Sequence, residues 1–315
     1  MTGRWDSTEA FYSFSTFHIP PTIYHYQTMN NESAVWFRQE VPINTDDFTT
    51  NQIWFTSKDG TKVPMFIAHK KGLELNGENP TLLTGYGGFN ISITPYFLGV
   101  TALFLENGGV FATANLRGGG EFGEEWHKAG MLANKQNTFD DFISAAEWLI
   151  NEGYTNPNKL AIIGGSNGGL LVGSALTQRP ELFRAVVCTY PLLDMLRYHK
   201  FPVGELWIAE YGDPDKPEDF QYLRAYSPYH NVKAGVEYPA VLFVTGDFDT
   251  RVDPMHARKM TALLQWATKS DPEKKPILLS YDTKAGHAGG LKMSEWIDRQ
   301  TDEFLFLFWQ LGMIN

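Results

Sequence analysis

The chain has 315 residues, of which 43% are hydrophobic and 14% aromatic, enough to bury one large core, alone or with a smaller piece. The formal net charge of -10 argues against nucleic acid as a partner, because phosphate binding requires clustered lysine and arginine. No segment reaches the ~18 apolar residues of a membrane span, so no membrane association is expected. Cys188 is the single cysteine, which permits no intramolecular disulfide and favours the cytoplasm.

The N-terminal part of the chain is rich in strand patterns. Residues 1–40 alternate aromatic and β-branched side chains around Pro20 and Pro21, which predicts antiparallel strands detached from the rest of the chain. From about residue 41, "QIWFTSKDGTKVPMFIAH" predicts a hairpin that turns at Asp59 and Gly60. Short apolar runs then predict buried parallel strands at 81–84, 109–116, 160–163, 185–188, 240–245 and 276–281.

Helical periodicity alternates with these apolar runs. The clearest helix takes Thr138 and Asp141 as a capping box and ends at Gly153. Its apolar face comprises Phe139, Phe142, Ile143, Ala146, Leu149 and Ile150. Further helices are predicted at 167–178, 254–268 and 293–312. The alternation predicts an α/β fold, a mostly parallel sheet with helices on both faces, in which ligands bind beyond the carboxyl ends of the strands.

A glycine-rich turn joins one of these strands to a helix. In "LAIIGGSNGGLLVGSAL", Gly164 and Gly168 flank Ser166 in the pattern of a nucleophile elbow. The glycines let strand and helix pass closely, and the Asn167 amide at the helix start can stabilise a developing oxyanion. Many such turns carry a serine that only caps the helix, so the partners of Ser166 decide its role.

A nucleophilic serine needs a base, and the base needs a carboxylate that orients it, in the chain order Ser, Asp or Glu, His. The histidines downstream are His199, His230, His256 and His287. His287 follows the strand "PILLSY" in a glycine-flanked loop, whereas His256 follows Asp253 and Pro254 and is expected on a helix that Asp253 caps. Asp247 and Asp249 both follow the strand "AVLFVT", and chain order alone does not separate them.

At these motifs the sequence resembles the prolyl oligopeptidase family, serine peptidases that cleave short peptides after proline. The family's active-serine signature is matched without a gap by Asp141, Ala145, Leu149, Gly164, Ser166, Gly168, Gly169, Leu170 and Leu171. "YGGFNISITP", "RGGGEFGEEWH", "LLDMLRYHK" and "YSPYHNV" extend the resemblance from about residue 10 to the C-terminus.

The resemblance implies a domain organisation. Residues 41–315 would form an α/β-hydrolase catalytic domain, and residues 1–40 would be an all-β remnant of the last blade of a β-propeller and its linker. Because family members carry a whole propeller ahead of most of the hydrolase domain, the chain is expected to be a fragment. Its docking face for the propeller would then be exposed and would favour self-association.

The resemblance also implies the roles of individual residues. Ser166 would be the nucleophile, Asp249 the acid and His287 the base, with Tyr86 and the Asn167 amide forming the oxyanion hole. The substrate-binding residues would be Arg251, which grips a carbonyl, Trp207, which stacks on the proline ring, and Phe89, Leu192, Tyr211 and Val252, which line the rest of the pocket. Thr250 stands where the family often has an acid, which leaves the pairing of Arg251 open. The expected partners are short proline-containing peptides, with no cofactor and no metal.

Other readings compete with this one. Gly118, Gly120 and Gly123 satisfy a dinucleotide-binding GxGxxG pattern, but the glutamates of "GEFGEEW" would repel a pyrophosphate and no amphipathic helix follows. We therefore expect a loop bordering the active-site cleft. Cys188 lies in an apolar strand, where a reactive thiolate is disfavoured. The alternatives to a proline-specific peptidase are an esterase, an acylaminoacyl-type serine hydrolase, or a catalytically silent interaction module.

Overall fold

The N-terminal segment forms a sheet of its own. The structure is a computed structural model that describes residues 2–287 and 291–314. The first sheet is antiparallel, in the order β1 (Thr2–Gly3), β2 (Glu9–Phe14), β3 (Thr22–Gln27) and β4 (Glu32–Arg38). The antiparallel strands predicted within residues 1–40 are therefore confirmed.

The link between this sheet and the rest of the molecule is made by side chains that follow β2. Phe17 is buried, and its ring centroid lies 6.3 Å from that of Phe66 and 5.2 Å from that of Phe111. His18 Nδ1 lies 3.0 Å from Thr50 Oγ1. These contacts attach the small sheet to the large one through packing and one side-chain hydrogen bond.

The large sheet has eight strands and mixed direction. Its strands are β5 (Phe48–Thr56), β6 (Lys62–Lys70), β7 (Thr81–Gly85), β8 (Val110–Ala114), β9 (Leu160–Gly165), β10 (Ala185–Thr189), β11 (Ala240–Gly246) and β12 (Ile277–Asp282), in the spatial order β12-β11-β10-β9-β7-β8-β6-β5. The hairpin β5–β6 and the pair β6–β8 are antiparallel, and the other pairs are parallel. The predicted hairpin and the six predicted parallel strands are confirmed.

Helices connect the parallel strands. They are α1 (Gly99–Glu106), α2 (Glu124–Lys128), α3 (Lys135–Asn151), α4 (Asn167–Gln178), α5 (Ile208–Tyr211), α6 (Pro217–Tyr226), α7 (Pro228–Asn231), α8 (Met255–Ala267) and α9 (Met293–Leu311). The predictions for α4, α8 and α9 agree to within one residue at each end, whereas α1, α2, α5, α6 and α7 were not predicted. Over 2–287 and 291–314, no helix combines the length and apolarity needed to cross a bilayer.

Two hydrophobic clusters cover opposite faces of the large sheet. In β10, Val186 and Cys188 belong to the cluster that contains residues of α3, α4 and α8, whereas Ala185 and Val187 belong to the cluster that contains residues of α1 and α9. This alternation is the period of a strand buried on both sides. The predicted α/β architecture, with helices on both faces, is therefore confirmed.

The predicted capping box at Thr138 and Asp141 is wrong. Helix α3 begins three residues earlier, at Lys135, so both side chains lie inside it. Asp141 is fully buried and accepts hydrogen bonds from Arg117 Nη2 at 2.6 Å and from Ser57 Oγ at 2.5 Å, and Thr138 Oγ1 donates to the Arg117 carbonyl at 2.8 Å. The local pattern assigned the Asp141 carboxylate to the start of the helix, but in the folded chain it binds the buried guanidinium of Arg117 instead.

Candidate active site

The turn between β9 and α4 holds Ser166 in an unusual backbone conformation. Ser166 has φ 58° and ψ -119°, a region that costs energy for any residue with a side chain. A Cβ at Gly164 would collide with the carbonyl of Gly168, and one at Gly165 would lie 2.6 Å from Thr189 Oγ1. Strand β9 and helix α4 therefore approach so closely that only glycine fits at these two positions, as in a nucleophile elbow. Asn167 is the first residue of α4, and its amide is one of the N–H groups without a partner inside the helix.

Asp249 and His287 are joined by a direct hydrogen bond. Asp249 follows β11, is buried, and accepts the amides of Arg251 at 3.0 Å and Val252 at 2.8 Å through Oδ1. Its other oxygen, Oδ2, lies 2.8 Å from His287 Nδ1. Because a carboxylate only accepts, Nδ1 carries the proton and Nε2 is left as the acceptor. His287 follows β12 as expected, although residues 288–290 of its glycine-flanked loop lie outside the described residues.

The other candidate acids and bases have different surroundings. Asp247 is exposed and accepts a hydrogen bond from the Tyr281 hydroxyl. Asp253 Oδ1 accepts the amide of Met255, the first residue of α8, at 2.8 Å, but the N-cap residue of the helix is Pro254 and not Asp253 as predicted. His256 lies on α8, is buried, and accepts the amides of two residues that follow β10 through Nδ1. Burial lowers the pKa of His256 to about 4, so it is neutral and structural.

Ser166 and His287 line one cavity of about 310 Å³ at the carboxyl ends of the strands. Its other walls are formed by Gly165, Thr189, Tyr190, Trp296, Arg299, Gln300 and Glu303. A larger cavity of about 630 Å³ lies between the β5–β6 hairpin and α3, and its described lining includes none of the residues predicted for the site. The position of the smaller cavity is the one expected for a ligand in a sheet of this kind.

Tyr86 directly follows β7 and lies near Ser166, where it lines a neighbouring cavity of about 180 Å³. Burial raises the pKa of its hydroxyl, against the opposing effects of the Arg251 charge and the nearby Ser166 side chain. The hydroxyl therefore keeps its proton at neutral pH and can donate. Asn167 Nδ2 donates to the Tyr86 carbonyl at 2.6 Å, and Asn167 Oδ1 accepts from the Tyr211 hydroxyl at 2.9 Å. The two predicted oxyanion-hole residues are thus bonded to each other.

The residues predicted to line a proline pocket belong to one hydrophobic cluster. Leu192, Tyr211 and Val252 are buried in it, and Trp207 and Phe89 pack against it while remaining only partly buried. The rings of Phe89 and Tyr211 meet edge to face, with centroids 5.5 Å apart. Of these five side chains, Trp207 and Phe89 are therefore the ones with surface left for contact with a ligand.

A buried charged network beneath this cluster was missed by the sequence analysis. Glu210 accepts the Phe89 amide at 3.0 Å, and its carboxylate lies 3.4 Å from Lys135 Nζ and 2.8 Å from His127 Nε2. Lys135 also donates to the Gly87 carbonyl at 2.8 Å, and burial lowers its pKa to about 8. Glu210 lies between Trp207 and Tyr211 in the chain, so the network fixes the loop after Tyr86 to the segment that carries both aromatic rings.

The glycine-rich loop at 118–123 packs against that same loop. Gly118 has φ 97°, and its carbonyl accepts the amide of Asn90 at 3.2 Å. Glu121 accepts the amide of Ile93 at 2.9 Å. The five-residue helix α2 follows, although no helix was expected there. These contacts agree with a loop bordering the cleft. Cys188, also set aside as a nucleophile, is buried, and burial raises the pKa of its thiol.

Comparison with known proteins gives consistent results. Residues 95–313 match the profile of the prolyl oligopeptidase family. The prolyl endopeptidase of Elizabethkingia miricola is 43% identical over 314 residues, which are 99% of this chain and 44% of that protein. The chain therefore spans less than half the length of this relative.

Solved structures give the same result. A prolyl endopeptidase structure, from a study of interdomain dynamics, aligns with a TM-score of 0.93 at 50% identity, covering 99% of this chain and 46% of that one. Prolyl oligopeptidase B from Galerina marginata, bound to a 35mer hydrolysis and macrocyclization substrate, aligns with a TM-score of 0.91 at 40% identity, covering 98% and 44%. From these matches, and from a hydrolase elbow at the expected place in the sheet, we conclude that the chain belongs to the prolyl oligopeptidase family.

Proposed function

We propose that the chain hydrolyses short peptides on the carboxyl side of proline, through an acyl-enzyme on Ser166. The observation that carries the proposal is the 2.8 Å hydrogen bond between His287 Nδ1 and the buried carboxylate of Asp249, beside a cavity that Ser166 shares. With Nδ1 bonded to Asp249, Nε2 is the ring nitrogen that would accept the Ser166 proton. A serine on a strained turn, a base and an orienting acid are the parts that acyl transfer requires.

The proposed reaction begins at Ser166. His287 Nε2 takes the hydroxyl proton as Ser166 Oγ attacks the carbonyl carbon of the prolyl residue, and Asp249 stabilises the resulting imidazolium. The imidazolium then protonates the leaving amine as the C–N bond breaks. Water then attacks the acyl-enzyme, with His287 Nε2 taking its proton. The ester bond to Ser166 breaks, the proline-terminated product is released, and the imidazolium returns the proton to Ser166 Oγ.

The oxyanion is held by two hydrogen-bond donors. The Asn167 amide supplies one hydrogen bond and the charge of a helix N-terminus, and the protonated Tyr86 hydroxyl supplies the other. Both donors are fixed in advance, because the Asn167 side chain holds the Tyr86 carbonyl. Such donors stabilise the transition state without reorganising during the reaction.

Proline recognition is assigned to contact area, since the ring offers no donor. Trp207 and Phe89 cover the ring, with Leu192, Tyr211 and Val252 behind them. Burying a ring of this size contributes roughly 1 to 3 kcal/mol. Arg251 holds a substrate carbonyl. Support for its position comes from its effect on Tyr86, whose pKa its charge lowers.

The test is cleavage of an acetylated hexapeptide with one internal proline, with the products identified by mass. We expect a single cut after proline in the wild type and none in Ser166→Ala. Turnover of a simple aryl ester without peptide cleavage would favour the esterase alternative. Failure of the folded protein to act on either substrate would favour the silent module. Either result would overturn the proposal.

We also propose a cytoplasmic location. Support comes from the single cysteine, whose thiol is buried in β10, because a chain of this composition gains nothing from an oxidising compartment. Fractionation of the native host, with recovery of the chain in an oxidising compartment, would contradict this.

A further inference from the structure

The cavity that contains Ser166 and His287 is also lined by residues that have no role in the reaction proposed above. Beside Ser166 and His287, the cavity is lined by Tyr190, Trp296 and Arg299. The proline-binding aromatics Trp207 and Phe89 are absent from its described lining. Because the imidazole protonates the leaving amine, a cavity on the imidazole side receives the part of the substrate after proline.

Arg299 is placed to act on that part. Its guanidinium carbon lies 5.3 Å from the centroid of the Tyr190 ring, which in turn lies 5.3 Å from the centroid of the His287 ring. One amino acid residue spans about 3.5 Å, and a hydrogen bond at each end adds about 3 Å. A single residue can therefore meet His287 with its amine and Arg299 with its carboxylate.

The charge of Arg299 has no close counterpart within the described part of the chain, where no carboxylate oxygen lies within 4.0 Å of its guanidinium. Glu303, on the next turn of α9, affects it only at longer range, and burial raises the pKa of Glu303 to about 7. A half-buried guanidinium without a close carboxylate, beside an acid that is about half protonated near pH 7, attracts anions.

We propose that this cavity is a binding site for the leaving group, and that Arg299 selects substrates whose residue after proline carries a carboxylate. The inference rests on the proposed function and adds its leaving-group preference. In chemical terms, the bond from the prolyl carbonyl to the nitrogen breaks, that nitrogen takes the proton from His287, and the released amino acid leaves with its carboxylate against Arg299. The favoured source is a free α-carboxylate, because the two successive distances of 5.3 Å from His287 through Tyr190 to Arg299 suit the length of a single residue hydrogen-bonded at both ends.

Four matched peptides test the preference: acetyl-Gly-Pro-Ala as the free acid, the same peptide amidated, acetyl-Gly-Pro-Asp-amide and acetyl-Gly-Pro-Asn-amide. We expect the wild type to cleave the free acid with a kcat/KM roughly tenfold above that of its amide, as one charge-assisted hydrogen bond allows. The aspartate and asparagine peptides show whether a side-chain carboxylate is also accepted. Arg299→Met should abolish the difference while leaving cleavage of the neutral amide in place.

The chain offers a matched control and a variant of opposite effect. Arg258 lies 5.5 Å over the Tyr281 ring on the exposed side of α8, so Arg258→Met removes the same kind of contact outside the cavity and should keep the preference. Glu303→Gln should increase the preference at about pH 8, where Glu303 is otherwise ionised. The charged and titratable groups around Glu303 are Arg299 and Asp302 on α9 and, across the cavity, His287 and Tyr190.

The outcomes separate the two proposals. Equal cleavage of all four peptides by the wild type, or an equal loss on all four in Arg299→Met, overturns the leaving-group inference while the proline-specific reaction stands. If the folded wild type cleaves none of them after proline, the proposed function fails and the inference falls with it.

Discussion

Asp247 and Asp249 lie two residues apart after the same strand, but their environments are opposite. Asp249 is buried and three of its hydrogen bonds come from amides or from the His287 ring, whereas Asp247 is exposed and bonded to a tyrosine hydroxyl. A carboxylate that must orient an imidazole needs the first environment, because burial keeps water from competing for the bond.

This difference gives a paired prediction. We expect Asp249→Asn to lower kcat on a prolyl peptide about ten-thousandfold, because an amide favours the wrong imidazole tautomer. Asp247→Asn should leave kcat near the wild-type value. Steady-state kinetics on both variants checks this, and a large loss in Asp247→Asn with little loss in Asp249→Asn would reverse the assignment.

Glu303 gives a prediction about pH. Burial raises its pKa to about 7 from 4.5, against the charge of Arg299. Because the folded state holds this proton more tightly, the stabilisation is fully present below about pH 4.5 and is lost as the pH rises through 7.

Glu303→Gln removes this dependence. The variant should unfold at nearly the wild-type temperature near pH 4 and at a higher temperature than the wild type near pH 8, as followed by thermal unfolding. A shift of the same size at both pH values would mean that Glu303 does not titrate in this way.

Ser166 and His287 could be predicted from the residues that flank them in the chain, but Asp247 and Asp249 could not be distinguished in this way. The choice depends on which way each side chain points after the strand ends, and chain order carries no information about that direction. Resemblance to a family supplied the choice, and the structure pairs Asp249 with His287.

At the scale of elements, the turn from β9 to α4 depends on the absence of a side chain at Gly164. The atom that a Cβ would meet is a backbone carbonyl, that of Gly168, which cannot rotate away as a side chain would. The close approach and the strained backbone of Ser166 are therefore parts of one arrangement.

We expect Gly164→Ala to destabilise the protein by about 1–3 kcal/mol, as overpacking in a dense core does, and to lower activity by displacing Ser166. Gly99→Ala is the control, because Gly99 has open space around its Cβ position and an ordinary φ at the start of α1. Urea denaturation measures both. Equal stability of the two variants would show that strand and helix tolerate separation.

Apolar periodicity predicted the long helices well and the short ones not at all. Helices α5 and α7 have four residues each, too few to complete a periodic pattern, and they are held by tertiary contacts. The start of α3 was misplaced because Asp141 bonds Arg117, 24 residues away, and no local signal reveals such a partner.

At the scale of the whole molecule, two sheets are connected through few contacts. Phe17 inserts into the cluster on one face of the large sheet, close to Phe66 and Phe111, whereas Phe14, three residues earlier, is half-exposed. The attachment of residues 9–38 should therefore depend on Phe17 and not on Phe14.

Phe17→Ala should remove about 3–5 kcal/mol of packing, as large-to-small changes in a core do. We expect faster hydrogen exchange in β2, β3 and β4 and unchanged exchange in β9 and β10, with Phe14→Ala close to the wild type. Uniformly faster exchange across both sheets would show instead that they unfold as one unit.

The alternation of strands and long helices was sufficient to predict the α/β architecture, since each strand and each long helix has a recognisable local sequence pattern. The network of Glu210, Lys135 and His127 could not be predicted, because its members lie on three helices separated by many residues. Only folding brings such charges together, and burial then makes their pairing obligatory.

The central claim is that Ser166, Asp249 and His287 act as one unit, and covalent labelling tests it most directly. A fluorophosphonate incubated with the folded chain should add one adduct, located on Ser166 by peptide mass mapping, with labelling slowed by orders of magnitude in His287→Ala and absent in Ser166→Ala. Labelling at another residue, or a wild-type rate in His287→Ala, would contradict the account.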